Sequence, residues 1–104
     1  GGSVNEKEND GWTTLHYASQ EGHLLCVREL LERGGSVNEK NNDGQAPLHL
    51  ACLDGHLDCI VVLLAGGADA KAKTIRGLTA LDLITANNHH EECATVLRQA
   101  MAQQ

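Results

Sequence analysis

Ten of the eleven residues in GGSVNEKENDG, positions 1–11, return in GGSVNEKNNDG at positions 34–44. Comparison at that offset of 33 aligns Gly11 with Gly44 and Gly77, Leu15 with Leu48 and Leu81, and His23 with His56 and His89. Val27, Leu30 and Leu31 likewise match Ile60, Leu63 and Leu64, and then Cys93, Val96 and Leu97. Three such units nearly fill the 104 residues. A fixed period of this length is the signature of a stacked array, in which each unit is one supersecondary element that buries its apolar face only against its neighbours. Gly-Gly-Ser at positions 1–3 belongs to the period, because Gly34-Gly35-Ser36 repeats it in phase inside the chain.

Each unit reads as two short helices and a polar return. TTLHYASQEG, from Thr13, offers a capping threonine and a terminating glycine at Gly22. Its counterpart APLHLACLDG places Pro47 in the first helical turn, where the missing N–H would have had no intrahelical partner. TALDLITANN restores the capping residue at Thr79 and puts Asn88, which tolerates a left-handed turn, in place of the glycine. The second helix, HLLCVRELLER in the first unit, carries Val27, Leu30 and Leu31 at i, i+3 and i+4 along one face, and Gly34-Gly35 ends it. Helices of two or three turns are marginal alone. The predicted class is therefore all-α, with the units laid side by side.

Composition narrows the partners. Trp12 and Tyr17 are the only aromatic residues, so the core is expected to be Leu, Val, Ile, Ala and Cys. A formal charge of −6 repels a phosphate backbone and offers no broad cationic surface, which disfavours nucleic acid and anionic membranes. No apolar run approaches the roughly 20 residues that span a bilayer, and no signal peptide is visible. The four cysteines occupy repeat positions otherwise held by small or aliphatic residues. Cys26 pairs with Cys59, Cys93 with Val27 and Ile60, and Cys52 with Ser19. They read as buried free thiols of a reducing compartment, so a cytoplasmic or nuclear location is expected.

DGWTTLHYASQEGHLLCVRELLERGGSVNEK and DGQAPLHLACLDGHLDCIVVLLAGGADAKAK resemble ankyrin repeats. The resemblance rests on the T-P-L-H-type turns (TTLH, APLH, TALD), the Gly-His pairs Gly22-His23 and Gly55-His56, the paired leucines, and the Gly-Gly or Gly-Ala that follows them. It implies a solenoid of L-shaped helix pairs joined by β-hairpin-like loops, and a module for protein recognition with no chemistry of its own. On this reading residues 1–104 form one domain: 1–9 close an upstream unit, 10–42 and 43–75 are full repeats, and 76–104 are a C-terminal cap. The cap reading follows from departures in the last unit, where Asp82 replaces the histidine of positions 16 and 49 and Ile84 the alanine of 18 and 51, and from the polar residues Asn87, Asn88, His89, His90, Glu91 and Glu92 in LITANNHHEECATVLRQ. The chain is then expected to be a monomeric fragment of a longer array.

Repeats of this type line a concave face with the return tips and the ends of the first helices. The corresponding residues are Asn9, Asp10, Trp12, Gln20 and Glu21, then Asn42, Asp43, Gln45, Leu53 and Asp54, then Ile75, Arg76, Leu78, Ala86 and Asn87. Trp12 has the profile of an interface hot spot, or else packs against an upstream return. Leu53 and Leu78 stand at positions that tolerate polar residues, and Asp10, Glu21, Asp43 and Asp54 surround them. A protein or peptide with basic residues beside an apolar anchor is the expected partner.

Other chemistry finds less support. His16 and His49 sit where similar repeats use the imidazole to tie the turn to an adjacent loop. His23/Cys26, His56/Cys59 and His89/Cys93 have ligand-like spacing, but structural zinc needs four converging ligands and equivalent repeat positions form a row, so no metal or other cofactor is expected. No nucleophile stands apart from the repeat pattern, so no enzymatic activity is expected either. Leu30, Val37 and Asn38 resemble the pattern at which an oxygen-sensing asparaginyl hydroxylase modifies ankyrin-repeat asparagines, but the preferred reading is that Asn38 holds the turn through its side-chain amide. The alternative to recognition is a structural spacer within a larger scaffold.

Overall fold

The structure, a computed structural model, describes residues 3–87 and 91–104, with the side chains of 85–87 excepted. Among the described residues there are six helices and no strand: α1 (Thr14–Glu21), α2 (Leu24–Glu32), α3 (Pro47–Leu53), α4 (Leu57–Ala65), α5 (Ala80–Asn87) and α6 (Glu91–Gln103). The capping chemistry is as the sequence suggests. The Thr13 hydroxyl accepts from the His16 amide at 3.3 Å, Pro47 opens α3, and the Thr79 hydroxyl accepts from the Asp82 amide at 3.2 Å. Gly22 ends α1 in the left-handed region, with φ 73°. Asn88, expected to play that part after α5, lies outside the described residues.

Packing runs in two rows. α1 lies on α3 and α3 on α5, while α2 lies on α4 and α4 on α6, and each first helix packs on the second helix of its own unit. The result is 40 Å long and about 25 Å across, a translated stack. Its interior holds Leu15, Leu48, Ile60, Leu63, Ile84 and Leu97 with Ala18, Ala51, Cys52, Cys59 and Cys93, which agrees with the aromatic-poor core read from composition. The middle unit is sealed from both sides. Leu63 is fully buried, whereas its equivalents Leu30 and Val96 are half-buried.

The hairpin-like loops are tighter than hairpins with paired strands. Each return is closed by a pair of backbone bonds on one residue: Glu8 N–H to Trp12 C=O at 2.9 Å with Gly11 N–H to Glu8 C=O at 2.9 Å, and likewise Asn41 with Gln45 and Gly44, and Thr74 with Leu78 and Gly77. Successive tips then bond to one another along the stack, Asn42 N–H to Asp10 C=O at 2.9 Å and Ile75 N–H to Asp43 C=O at 3.0 Å. Gly44 makes the second contact possible. Its φ is +74°, and a Cβ there would fall 2.6 Å from the Ile75 amide nitrogen.

One expectation needs correction. Cys26 is exposed, while Cys52, Cys59 and Cys93 are buried. Cys59 is covered because α2 packs on α4, but α2 has a described neighbour of its row on one side only, so the same register position is open in the first unit. Burial raises the thiol pKa at Cys52 and Cys93, and with help from Asp58 pushes Cys59 up to about 11. Native protein treated with iodoacetamide should therefore be alkylated at Cys26 first, with the other three reacting only on unfolding, as peptide mass mapping over time will read. Gly44→Ala should cost about 1–3 kcal/mol in urea unfolding, from strain plus the clash with the next tip. Gly67→Ala, also at positive φ but with nothing within 4 Å, should cost no more than about 1–2 kcal/mol.

Candidate recognition face

The tips are held in place by buried imidazoles. His16 Nδ1 accepts from the Thr13 amide at 3.0 Å, which leaves the proton on Nε2, and Nε2 donates to the Gln45 carbonyl at 2.9 Å in the next return. His49 repeats the arrangement with the Ala46 amide at 2.9 Å and the Ala72 carbonyl at 3.0 Å. Each neutral ring thus caps its own helix with one nitrogen and anchors the following loop with the other. At the third position Asp82 performs the capping half, accepting from the Thr79 amide at 2.9 Å, and Thr79 holds its carboxyl below the usual range. The structural role read for His16 and His49 is the one these bonds describe.

Side-chain amides and lysines add further ties at the same period. Asn5 donates to Gly34 C=O at 3.2 Å and accepts from Ser36 N–H at 2.6 Å, and Asn38 does the same one unit later with Gly67 C=O at 3.1 Å and Asp69 N–H at 2.8 Å. Both of these Asn38 bonds reach the following return and not its own turn, where the sequence reading places that side chain. Gln104 makes an analogous pair with Ala68 C=O and Ala70 N–H, both at 2.9 Å. Lys7 Nζ reaches Lys40 C=O at 3.4 Å and Lys40 Nζ reaches Lys73 C=O at 3.1 Å. Within the second tip, Asn41 Oδ1 accepts from the Asp43 and Gln45 amides at 2.9 and 3.0 Å.

On this frame Asn9, Asp10, Asn42, Asp43, Ile75, Arg76 and Leu78 stand exposed at the tips, with Trp12 and Gln45 half-buried beside them. Glu21 and Asp54 are exposed just past the middle of each helix pair, and Gln20 and Leu53 are half-buried. Ala86 and Asn87 are the last residues of α5, and their side chains lie outside the described ones. Six of these residues converge. Asp43, Gln45, Leu53, Ile75, Arg76 and Leu78 line one cleft of about 280 Å³ between the second and third tips. Thr74 and Leu83 complete it. Sequence reasoning missed both: Leu83 is equivalent to Leu50, a fully core position, and Thr74 to Asn41, a turn former.

Trp12 does not line that cleft. Its ring lies 4.8 Å from Tyr17 and 5.8 Å from His16, packed within its own unit. Tyr17 donates its hydroxyl to Glu8 Oε2 at 2.6 Å, and this bond pushes the phenol up to about 12. Tyr17 is 39 % exposed, although its equivalent Leu50 is sealed. No three His, Cys, Asp or Glu side chains converge as metal ligands among the described residues, where His23 and Cys26 sit in a row with His56 and Cys59. His89 of the third pair lies outside those residues. No helix among them is long and apolar enough to cross a membrane.

A translated stack of helix pairs with ordered loops along one edge defines a repeat scaffold, a class that presents an extended surface. A family model described as ankyrin repeats, in three copies, matches residues 1–74 and 34–104. The chain belongs to the ankyrin-repeat family, whose members are in general protein–protein interaction modules. No curated protein matches the chain.

The buried imidazoles make the scaffold acid-sensitive. Burial lowers the pKa of His16 and His49 below the ordinary 6.5, outweighing the carbonyls of Gln45 and Ala72, which pull it up. The unfolded chain therefore takes up protons first, so the stability these rings contribute is full above the unfolded value and is lost as pH falls below it. Urea midpoints should drop between about pH 7.5 and pH 5. His16→Gln with His49→Gln should cost about 1–3 kcal/mol per site at neutral pH and flatten the profile across that window.

Proposed function

We propose that the chain is a protein-recognition module whose binding surface is the face formed by the return tips and the C-terminal ends of α1, α3 and α5. The observation that carries this reading is the cleft between the second and third tips. It gathers Leu53, Ile75, Leu78 and Leu83 at the surface, and Ile75 is 75 % exposed at a position where the other two units carry asparagine. An aliphatic side chain kept in water on a tip contributes nothing to the stack, whereas its removal from water by a partner is favourable. Asp10, Glu21, Asp43 and Asp54, all exposed, favour a partner bearing basic residues, and the free thiols buried at Cys52, Cys59 and Cys93 support a reducing, intracellular setting. For Asn38, exposed behind Leu30 and Val37, the holding role is preferred over hydroxylation, since its amide is engaged with Gly67 C=O and Asp69 N–H; no mass gain of one oxygen on incubation with an asparaginyl hydroxylase, 2-oxoglutarate and O2 would remove the latter.

Affinity capture from cell lysate with the wild-type chain and with Trp12→Ala plus Leu53→Ala tests the reading. The double variant should lose partner affinity by roughly tenfold or more, since truncating hot-spot residues costs about 2 kcal/mol or more each. It should keep the wild-type circular dichroism spectrum. Captured proteins that bind both forms equally would leave the spacer role in its place. Binding should also weaken as salt is raised, because the acidic rim acts through screened Coulomb attraction.

A further inference from the structure

The charges on the tip face are not uniform along the stack. Asp10, Asp43 and Arg76 occupy equivalent places on successive tips, and the backbone bonds Asn42 N–H to Asp10 C=O and Ile75 N–H to Asp43 C=O hold those tips in line. Past the first helices the row reads Glu21, Asp54 and then Asn87. The tip row is therefore acidic over the first two units and carries a single cation, Arg76, at the third. The apolar cleft lies at the change of sign, with Asp43 on one wall and Arg76 on the other. The ion pairs Lys7–Glu39 and Arg33–Glu29 involve none of these groups.

We infer that the cleft seats one aliphatic or aromatic side chain of an extended peptide, with Lys or Arg on the side toward the first two units and Asp or Glu on the side toward Arg76. The inference rests on the recognition reading and deepens it. Each element of the occupant answers one on the face. Leu53, Ile75, Leu78 and Leu83 desolvate the anchor, the carboxylates of Asp43 and Asp54 meet the base, and the Arg76 guanidinium takes a carboxylate through its planar pair of donors. Reversal of the peptide's charge order would put like charges opposite one another at both ends, so the face fixes orientation as well as affinity.

A displayed random-peptide library panned against the intact chain tests this, with peptides of about twelve residues, which at ~3.3 Å each cover the 40 Å long axis. Ile75→Asn, Arg76→Asp and Leu78→Gln give the third tip the residues that the second carries at the same places, Asn42, Asp43 and Gln45, so the triple variant should fold, as circular dichroism and urea unfolding will verify. Enriched peptides should carry an apolar residue with base and acid on opposite sides, lose roughly tenfold or more in affinity for the triple variant, and exchange the acid for a base when selected on Arg76→Asp alone. Enrichment of peptides without that order, whose binding survives the triple substitution but falls with Trp12→Ala, would overturn the inference and leave recognition by this face standing. No enrichment on the wild-type chain would overturn both.

Discussion

The structure depends on a bond that no single unit can make for itself. His16 and His49 each spend one ring nitrogen on their own helix and the other on a carbonyl of the following return. Both nitrogens are committed, one as acceptor and one as donor, so only the neutral ring in one tautomer fits. Local folding and stacking are thereby coupled through a rigid five-membered ring. A helix that frays loses the acceptor that orients the imidazole, and a return that lifts away leaves a buried N–H unsatisfied.

The same coupling explains why the ties repeat at the period of the chain. Asn5 and Asn38 clamp the next return through both ends of an amide, and Lys7 and Lys40 reach the carbonyl of the next lysine. The second and third returns are therefore each shaped by the unit before them. Asp82 marks the exception in physical terms: a carboxylate caps α5 through the Thr79 amide but lacks the second nitrogen with which an imidazole reaches onward.

Much of this was legible in the sequence because a repeat supplies its own comparison. The offset of 33 identified the helix pairs, the capping residues Thr13, Pro47 and Thr79, and the core ladder of Val27, Ile60 and Cys93. What it hid were differences between equivalent positions. Cys26 and Cys59 are the same residue in the same register, yet one is exposed and the other sealed, since burial belongs to the neighbour and not to the residue. Leu83 was hidden for the same reason: Leu50 is buried between two units, while Leu83 is left partly open in the cleft wall. The Trp12–Tyr17 contact was equally out of reach, because a tip and a helix face meet only once the return has folded back.

Stability and recognition use different atoms of the same loops. Tip joins tip through backbone groups, the amides of Asn42 and Ile75 and the carbonyls of Asp10 and Asp43, while the anchoring imidazoles come from below. The backbone joins demand amide-to-carbonyl geometry, with glycine at positions 11 and 44 where the next backbone passes. The side chains at 10, 43 and 76, and at 12, 45 and 78, differ from unit to unit, Asp, Asp, Arg in the first set and Trp, Gln, Leu in the second, even though Asp10 accepts from the Trp12 amide, Gln45 from the Asn41 side chain, and Trp12 packs on Tyr17. A stack built this way can alter what its edge presents without altering how it holds together. The place to look for the partner's imprint is therefore where the repeat breaks its own rule, and Ile75, Arg76 and Leu78 are the residues that break it together.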